Sequence, residues 1–156
     1  MKINQDTVIS RQKDMVYRLA YSQCHQKDKA DDIFQEVMYR YIKKKPVFHS
    51  FEHEKAWFIK VTLNCSKTFL MSFWNSKVEE IHDEDLVISM KKEYLSYYLH
   101  KLPQKYNAVL YLFYYEEYST KEIADMLHLK DNHVRVLLNR ARLQLKKEMM
   151  KDERDF

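Results

Sequence analysis

Apolar residues recur along this chain at the three-and-four spacing of helices. A first stretch, about residues 7–25, lines up Val8, Met15, Val16, Leu19 and Ala20 in one stripe. A second begins near Asp28, whose carboxylate suits a helix start, and sends Ile33, Phe34, Val37, Tyr41 and Ile42 inward. Asp32, Gln35, Glu36, Tyr39 and Arg40 share its opposite, polar face. Lys43, Lys44 and Lys45 complement a helix C-terminus, and Pro46 stops the run. The residues PVFHSFEH that follow are too irregular to predict a helix. From residue 54 to about 75 the pattern is apolar nearly all round, through Trp57, Phe58, Ile59, Val61, Leu63, Phe69, Leu70, Phe73 and Trp74. Such a helix is central, or has one face awaiting a partner.

The character then changes. Across residues 76–92, Glu79, Glu80, Asp83, Glu84 and Asp85 outnumber Lys77, Lys91 and Lys92, which predicts an acidic, flexible linker. Helices are expected again at residues 94–101, ended by Leu102-Pro103, and at 104–116 with Val109, Leu110, Leu112 and Phe113 apolar. Ser119 with Glu122 three residues on is a capping box, so a short helix starts there with Ile123, Ala124 and Leu127 inside. The next helix starts at Asp131 or the residue before it, and Val134, Leu138, Ala141 and Leu145 mark its buried stripe. The architecture expected is therefore all-α: two small helical domains, residues 1–75 and 93–156, joined by the linker 76–92.

Composition supports this reading. A length of 156 residues allows two small domains, since units much below about 50 residues struggle to bury enough surface. The chain has no glycine and only two prolines, which disfavours tight hairpins and excludes glycine-rich phosphate loops. A net charge of +4 is too mild to argue for nucleic acid by itself, so the placement of the cations matters more. Cys24 and Cys65 are too few for a disulfide framework or a zinc motif and read as two buried thiols. No apolar run nears the ~18 residues of a membrane span, and the polar N-terminus is unlike a signal peptide, so no membrane insertion and a cytoplasmic location are expected.

The densest chemistry lies in the last helix. Its outward set is expected to include Asn132, His133, Arg135, Val136, Asn139, Arg140 and Arg142, and no acid occurs from Asn132 to Lys147. Two short helices joined by a tight turn, the second bearing guanidinium and carboxamide groups, match a helix-turn-helix that lays its second helix in the major groove. Farther back, Phe48, His49, Phe51, Lys60, Asn64, Lys67 and Trp74 interleave aromatics with cations and amides, the mixture that stacks and tracks single-stranded DNA. The competing assignment makes Trp57, Phe69 and Phe73 plain core. Asp31, Asp32 and Glu36 could be read as catalytic carboxylates, but no accompanying base or metal set is evident. His49 and His53 lack a third ligand, so no metal or other cofactor is expected.

These residues also carry a family resemblance. The stretch LPQKYNAVLYLFYYEEYSTKEIADMLHLKDNHVRVLLNRARLQL resembles region four of the bacterial RNA polymerase sigma factors, particularly the extracytoplasmic function (ECF) group. DDIFQEVMYRY, Asp31 to Tyr41, is similar to the region-two helix that docks on the polymerase clamp helices, and KAWFIKVTLN, Lys55 to Asn64, to the promoter-melting helix. LuxR-type regulators share the second half of the region-four motif but do not predict the first half of this chain.

The resemblance implies a non-enzymatic subunit that directs core RNA polymerase to promoter DNA. Asp32, Gln35, Glu36, Tyr39 and Arg40 would meet the clamp helices, the second domain would meet the flap and the -35 element, and Phe48, His49, Phe51, Lys60, Asn64, Lys67 and Trp74 would meet the -10 element. It also implies an anti-sigma factor as inhibitor. The alternative is a LuxR-like regulator that binds operator DNA without polymerase. The chain departs from the pattern at His128, where many ECF members place glycine, at Lys130 in place of a serine cap, and at Leu137 in place of an arginine.

Overall fold

The computed structural model describes residues 4–66 and 92–154, and the regular structure in them is helical, with no strand among the described residues. The chain divides into two compact units, Met1–Phe69 and Leu70–Phe156. Residues 76–91 of the expected linker lie outside the described residues, as do Lys67, Phe69, Phe73 and Trp74. Lys92, assigned to that linker, opens a helix instead.

Among the described residues the first unit holds three helices, each packed on the other two: α1 (Gln5–Cys24), α2 (Lys27–Lys44) and α3 (Phe51–Ser66). Asn4 caps α1 by accepting the Asp6 amide at 2.9 Å. The expected cap of α2 is corrected. Gln26 holds the N-cap position without a side-chain bond, and Asp28 lies inside the first turn, where its charge complements the exposed amides. His25 and Lys45 close α1 and α2 in the left-handed conformation, at φ 53° and 49°. A chain without glycine must place such corners on other residues, at a steric cost.

Helix α3 begins at Phe51, three residues before the sequence pattern predicts. Its start is stitched reciprocally, because Ser50 Oγ accepts the His53 amide at 3.0 Å while His53 Nδ1 accepts the His49 amide at 3.2 Å. The core of the unit joins Val8, Leu19, Val37, Phe58 and Ile59, with the buried Tyr41 ring 5.1 Å from Phe58 and 6.0 Å from Trp57. Ile42, expected inside, is 48% exposed because it falls past the end of the apolar stripe.

The second unit holds α4 (Lys92–Leu99), α5 (Gln104–Leu110), a π-helical segment Tyr111–Tyr115, α6 (Thr120–Leu127) and α7 (Asp131–Arg154). Helix α7 is the spine, packed against α4, α5 and α6. Leu99, Leu110, Leu112, Ile123, Leu138 and Leu145 are fully buried and form its core. Asn107 Nδ2 donates to the Leu99 carbonyl at 2.9 Å, tying the exit of α4 to α5 across the Leu102-Pro103 corner.

Candidate nucleic-acid interface

The helix-turn-helix is built from α6 and α7. Ser119 Oγ accepts the Glu122 amide at 3.1 Å and the Glu122 carboxylate accepts the Ser119 amide at 3.0 Å, completing the capping box. Those bonds favour the ionised acid and hold the Glu122 carboxyl below its ordinary range. The turn is made at His128, which takes φ 57° and donates its amide to the Ala124 carbonyl. Histidine thus occupies the corner that a glycine would fill without strain.

Helix α7 presents fewer side chains than its sequence suggests. Asn132 and Arg135 are exposed, and His133 and Arg140 are half-buried. The expectation that Val136, Asn139 and Arg142 face outward is corrected, since they are only 5%, 6% and 8% exposed. Val136 is apolar and gains by leaving water. Arg142 is drawn in by the π-helical segment: its Nε donates to the Tyr114 hydroxyl at 2.8 Å, and its guanidinium lies 5.4 Å from the Phe113 ring centroid. Arg142 Nη1 then donates to Asn139 Oδ1 at 3.1 Å, so the amide is satisfied internally. The signal in the sequence was the aromatic run YLFYY at Tyr111–Tyr115, which a continuous α-helix would have aimed differently.

Asp131, the first residue of α7, pairs with Arg135 across one turn at 3.1 Å. Both partners are well exposed, so this ion pair is worth only about 0.3–0.5 kcal/mol and Arg135 can exchange it for a phosphate or a base.

In the first unit, Asp32, Gln35, Glu36, Tyr39 and Arg40 all lie exposed on one face of α2, as expected. Tyr39 is 58% exposed, and Glu36 pairs with Arg40 at 3.0 Å. The loop from Pro46 to Ser50 and the start of α3 border a cavity of about 370 Å³, lined by Val8, Arg11, Phe48, His49, Ser50, Phe51 and Glu54. Phe48 is half-buried and packs on Tyr41, Trp57 and Phe58, whereas His49 and Phe51 are exposed. Lys60 and Asn64, half-buried on α3, do not line this cavity.

Two residues that the sequence reading passed over shape the cavity wall. Glu54 is buried, and Arg11 grips its carboxylate through Nε and Nη2, each at 2.8 Å. Gln12 adds a third bond at 3.2 Å. The same guanidinium stacks 4.7 Å from the Phe51 ring centroid, so α1 fixes the rim of the loop. A charged residue next to an aromatic in separate segments leaves no periodic trace in the sequence.

Elsewhere, Cys65 is buried, which pushes its thiol pKa up, while Cys24 is half-exposed rather than buried as expected. Among the described residues no three metal-binding side chains converge, and no helix is long and apolar enough to cross a membrane.

A capped helix-turn-helix whose second helix carries arginine and asparagine on its outer side is the architecture of a DNA-binding transcription factor. The sigma-70 region 4 family matches residues 92–145. The chain is 31% identical over 153 residues to RNA polymerase sigma factor SigV of Bacillus subtilis, covering 91% of each protein. It is also 29% identical over 157 residues to the ECF RNA polymerase sigma factor SigM of the same organism, covering 90% of this chain and 92% of that one. The chain belongs to the ECF group of the sigma-70 family.

Proposed function

We propose that this chain is an alternative sigma factor that joins core RNA polymerase and directs it to a particular set of promoters. The observation that supports it most is the outer surface of α7, where Asn132 and Arg135 are exposed and His133 and Arg140 half-buried beside a capped turn. Arginine and asparagine in a major-groove helix address guanine and adenine edges, and the remaining cations neutralise phosphates. Val136, Asn139 and Arg142, being buried, support that helix instead of reading bases.

In the first unit, Asp32, Gln35, Glu36, Tyr39 and Arg40 form the docking face for the polymerase clamp helices. The cavity beside Phe48, His49 and Phe51 is large enough to hold one unstacked base of the -10 element, and Lys60 and Asn64 on α3 serve the neighbouring backbone. Lys67 and Trp74 complete the proposed set. Exposed Ile42, Val47 and Phe51 favour an inhibitory partner, an anti-sigma factor, that covers apolar surface until release.

Transcription in vitro with purified core polymerase is the test. The reading requires promoter-specific initiation that depends on this chain. A polypeptide that fails to join polymerase and yet footprints operators alone is a LuxR-like regulator instead. Glu36→Ala combined with Arg40→Ala should weaken polymerase association while sparing the fold, and Arg140→Ala should weaken -35 binding by about 1–3 kcal/mol if it meets a base.

A further inference from the structure

The loop that enters α3 carries two histidines tied together through the backbone. His53, the third residue of α3, accepts the His49 amide on Nδ1 at 3.2 Å, and its own amide donates to Ser50 Oγ at 3.0 Å. The two imidazoles stack with centroids 5.4 Å apart and planes inclined by 9°. Phe48 meets the His53 ring in a T-shaped contact at 5.5 Å and also packs on Tyr41, Trp57 and Phe58. Both histidines are exposed, so solvent protons reach them, while His49 and Ser50 line the cavity of the first unit.

We propose that His53 is a proton-operated latch: neutral, it holds His49 and that part of the cavity wall in place, and protonated it lets them go. A backbone amide only donates, so its partner must be an unprotonated ring nitrogen. An imidazolium donates from both nitrogens, so a proton on His53 leaves two donors facing each other across the 3.2 Å contact. The bond from the His53 amide to Ser50 does not involve the ring and survives, so α3 keeps its start and the freed residue is His49. The latch belongs to the loop and does not depend on what the cavity holds.

The neighbouring charges act in both directions. A cation at the third position of α3 meets the positive end of the helix, which disfavours it. A second proton, on His49, would face the first across the stacked rings. Glu52 and Glu54 lie in the same turn and attract a proton, but Arg11 of α1 already neutralises Glu54 through its two 2.8 Å bonds. From α2 comes Tyr41 behind Phe48, a phenol that burial keeps neutral. None of these groups restores the acceptor once the ring is protonated, so the proton goes preferentially to the released loop. The held form therefore loses population as pH falls.

The experiment is amide exchange of the full chain by NMR between about pH 5 and 8, the range in which histidine changes charge. Each rate is divided by that of an unstructured peptide of the same local sequence at the same pH. Protection of the His49 amide should be about fivefold at the alkaline end, the effect of one hydrogen bond of ordinary net strength, and should vanish toward the acid end. His53→Asn puts an oxygen where Nδ1 stands and does not titrate, so it should keep the protection throughout. His49→Ala keeps the amide and removes only the stacked ring, so the pH dependence should persist. If His53→Asn loses helical circular dichroism, the ring nitrogen shifts of His53 in the unaltered chain decide, since the neutral ring should carry its proton on Nε2. The latch is overturned by protection that is flat with pH, by a pH dependence that survives in His53→Asn or vanishes in His49→Ala, or by a neutral ring protonated on Nδ1.

Discussion

The clamp around Glu54 makes an asymmetric prediction, because its two charged partners differ sharply in exposure. The Glu54 side chain is 2% exposed and that of Arg11 is 38% exposed. Arg11→Ala strands a carboxylate in the interior with only Gln12 as donor. Breaking a buried pair in that way costs about 3–5 kcal/mol, and the surviving Gln12 bond places this case near the lower bound, about 3 kcal/mol. Glu54→Ala leaves Arg11 free to turn toward water, so the loss is mainly that of its charged hydrogen bonds. For a guanidinium this exposed, the full charged-bond value of about 1.5–3 kcal/mol must be discounted for solvent, to about 1–2 kcal/mol. Urea unfolding followed by indole emission in a Trp74→Phe background measures both, since the remaining Trp57 packs on Tyr41 and Phe58 in the first unit. A larger loss in Glu54→Ala than in Arg11→Ala, or less than about 1 kcal/mol in Arg11→Ala, would refute the view that burial of the carboxylate governs the clamp.

Other outcomes are as specific. Tyr114→Phe keeps the ring beneath Arg142 but removes the 2.8 Å acceptor, and thermal unfolding should show the second unit weakened by about 1 kcal/mol. Ser119→Ala should cost about 1 kcal/mol by deleting the N-cap. Because the folded Glu122 carboxyl is held low, its contribution is full above the unfolded pKa and fades as pH drops below it; an acid titration monitored by circular dichroism should show that slope diminished in Ser119→Ala. His128→Gly should stabilise the turn by about 0.5–1 kcal/mol, read from the shift in Tm, since glycine takes φ 57° without steric cost.

The regular part of this molecule was open to reading from the chain. Apolar spacing located the helices of both units, and Ser119 with Glu122 fixed the entry to the helix-turn-helix almost to the residue. The polar face of α2 was also evident, because five side chains at helical intervals need no tertiary information. What escaped was set by contacts between distant segments. Arg142 carries the charge of a DNA contact, and only the aromatic ledge of Phe113 and Tyr114 turns it inward. Asn139 follows because Arg142 supplies its partner. Likewise Arg11 and Glu54 meet across forty-three positions, and neither announces the other.

The π-helical turn at Tyr111–Tyr115 acts on the register of the last residues of its own helix, which ends at Glu116. Its surplus residue rotates the succeeding side chains by roughly 100° relative to an uninterrupted α-helix. Excising a single position there would leave composition and hydropathy almost untouched yet swing the phenol away from its guanidinium, so the segment should tolerate substitutions far better than it tolerates a change in length.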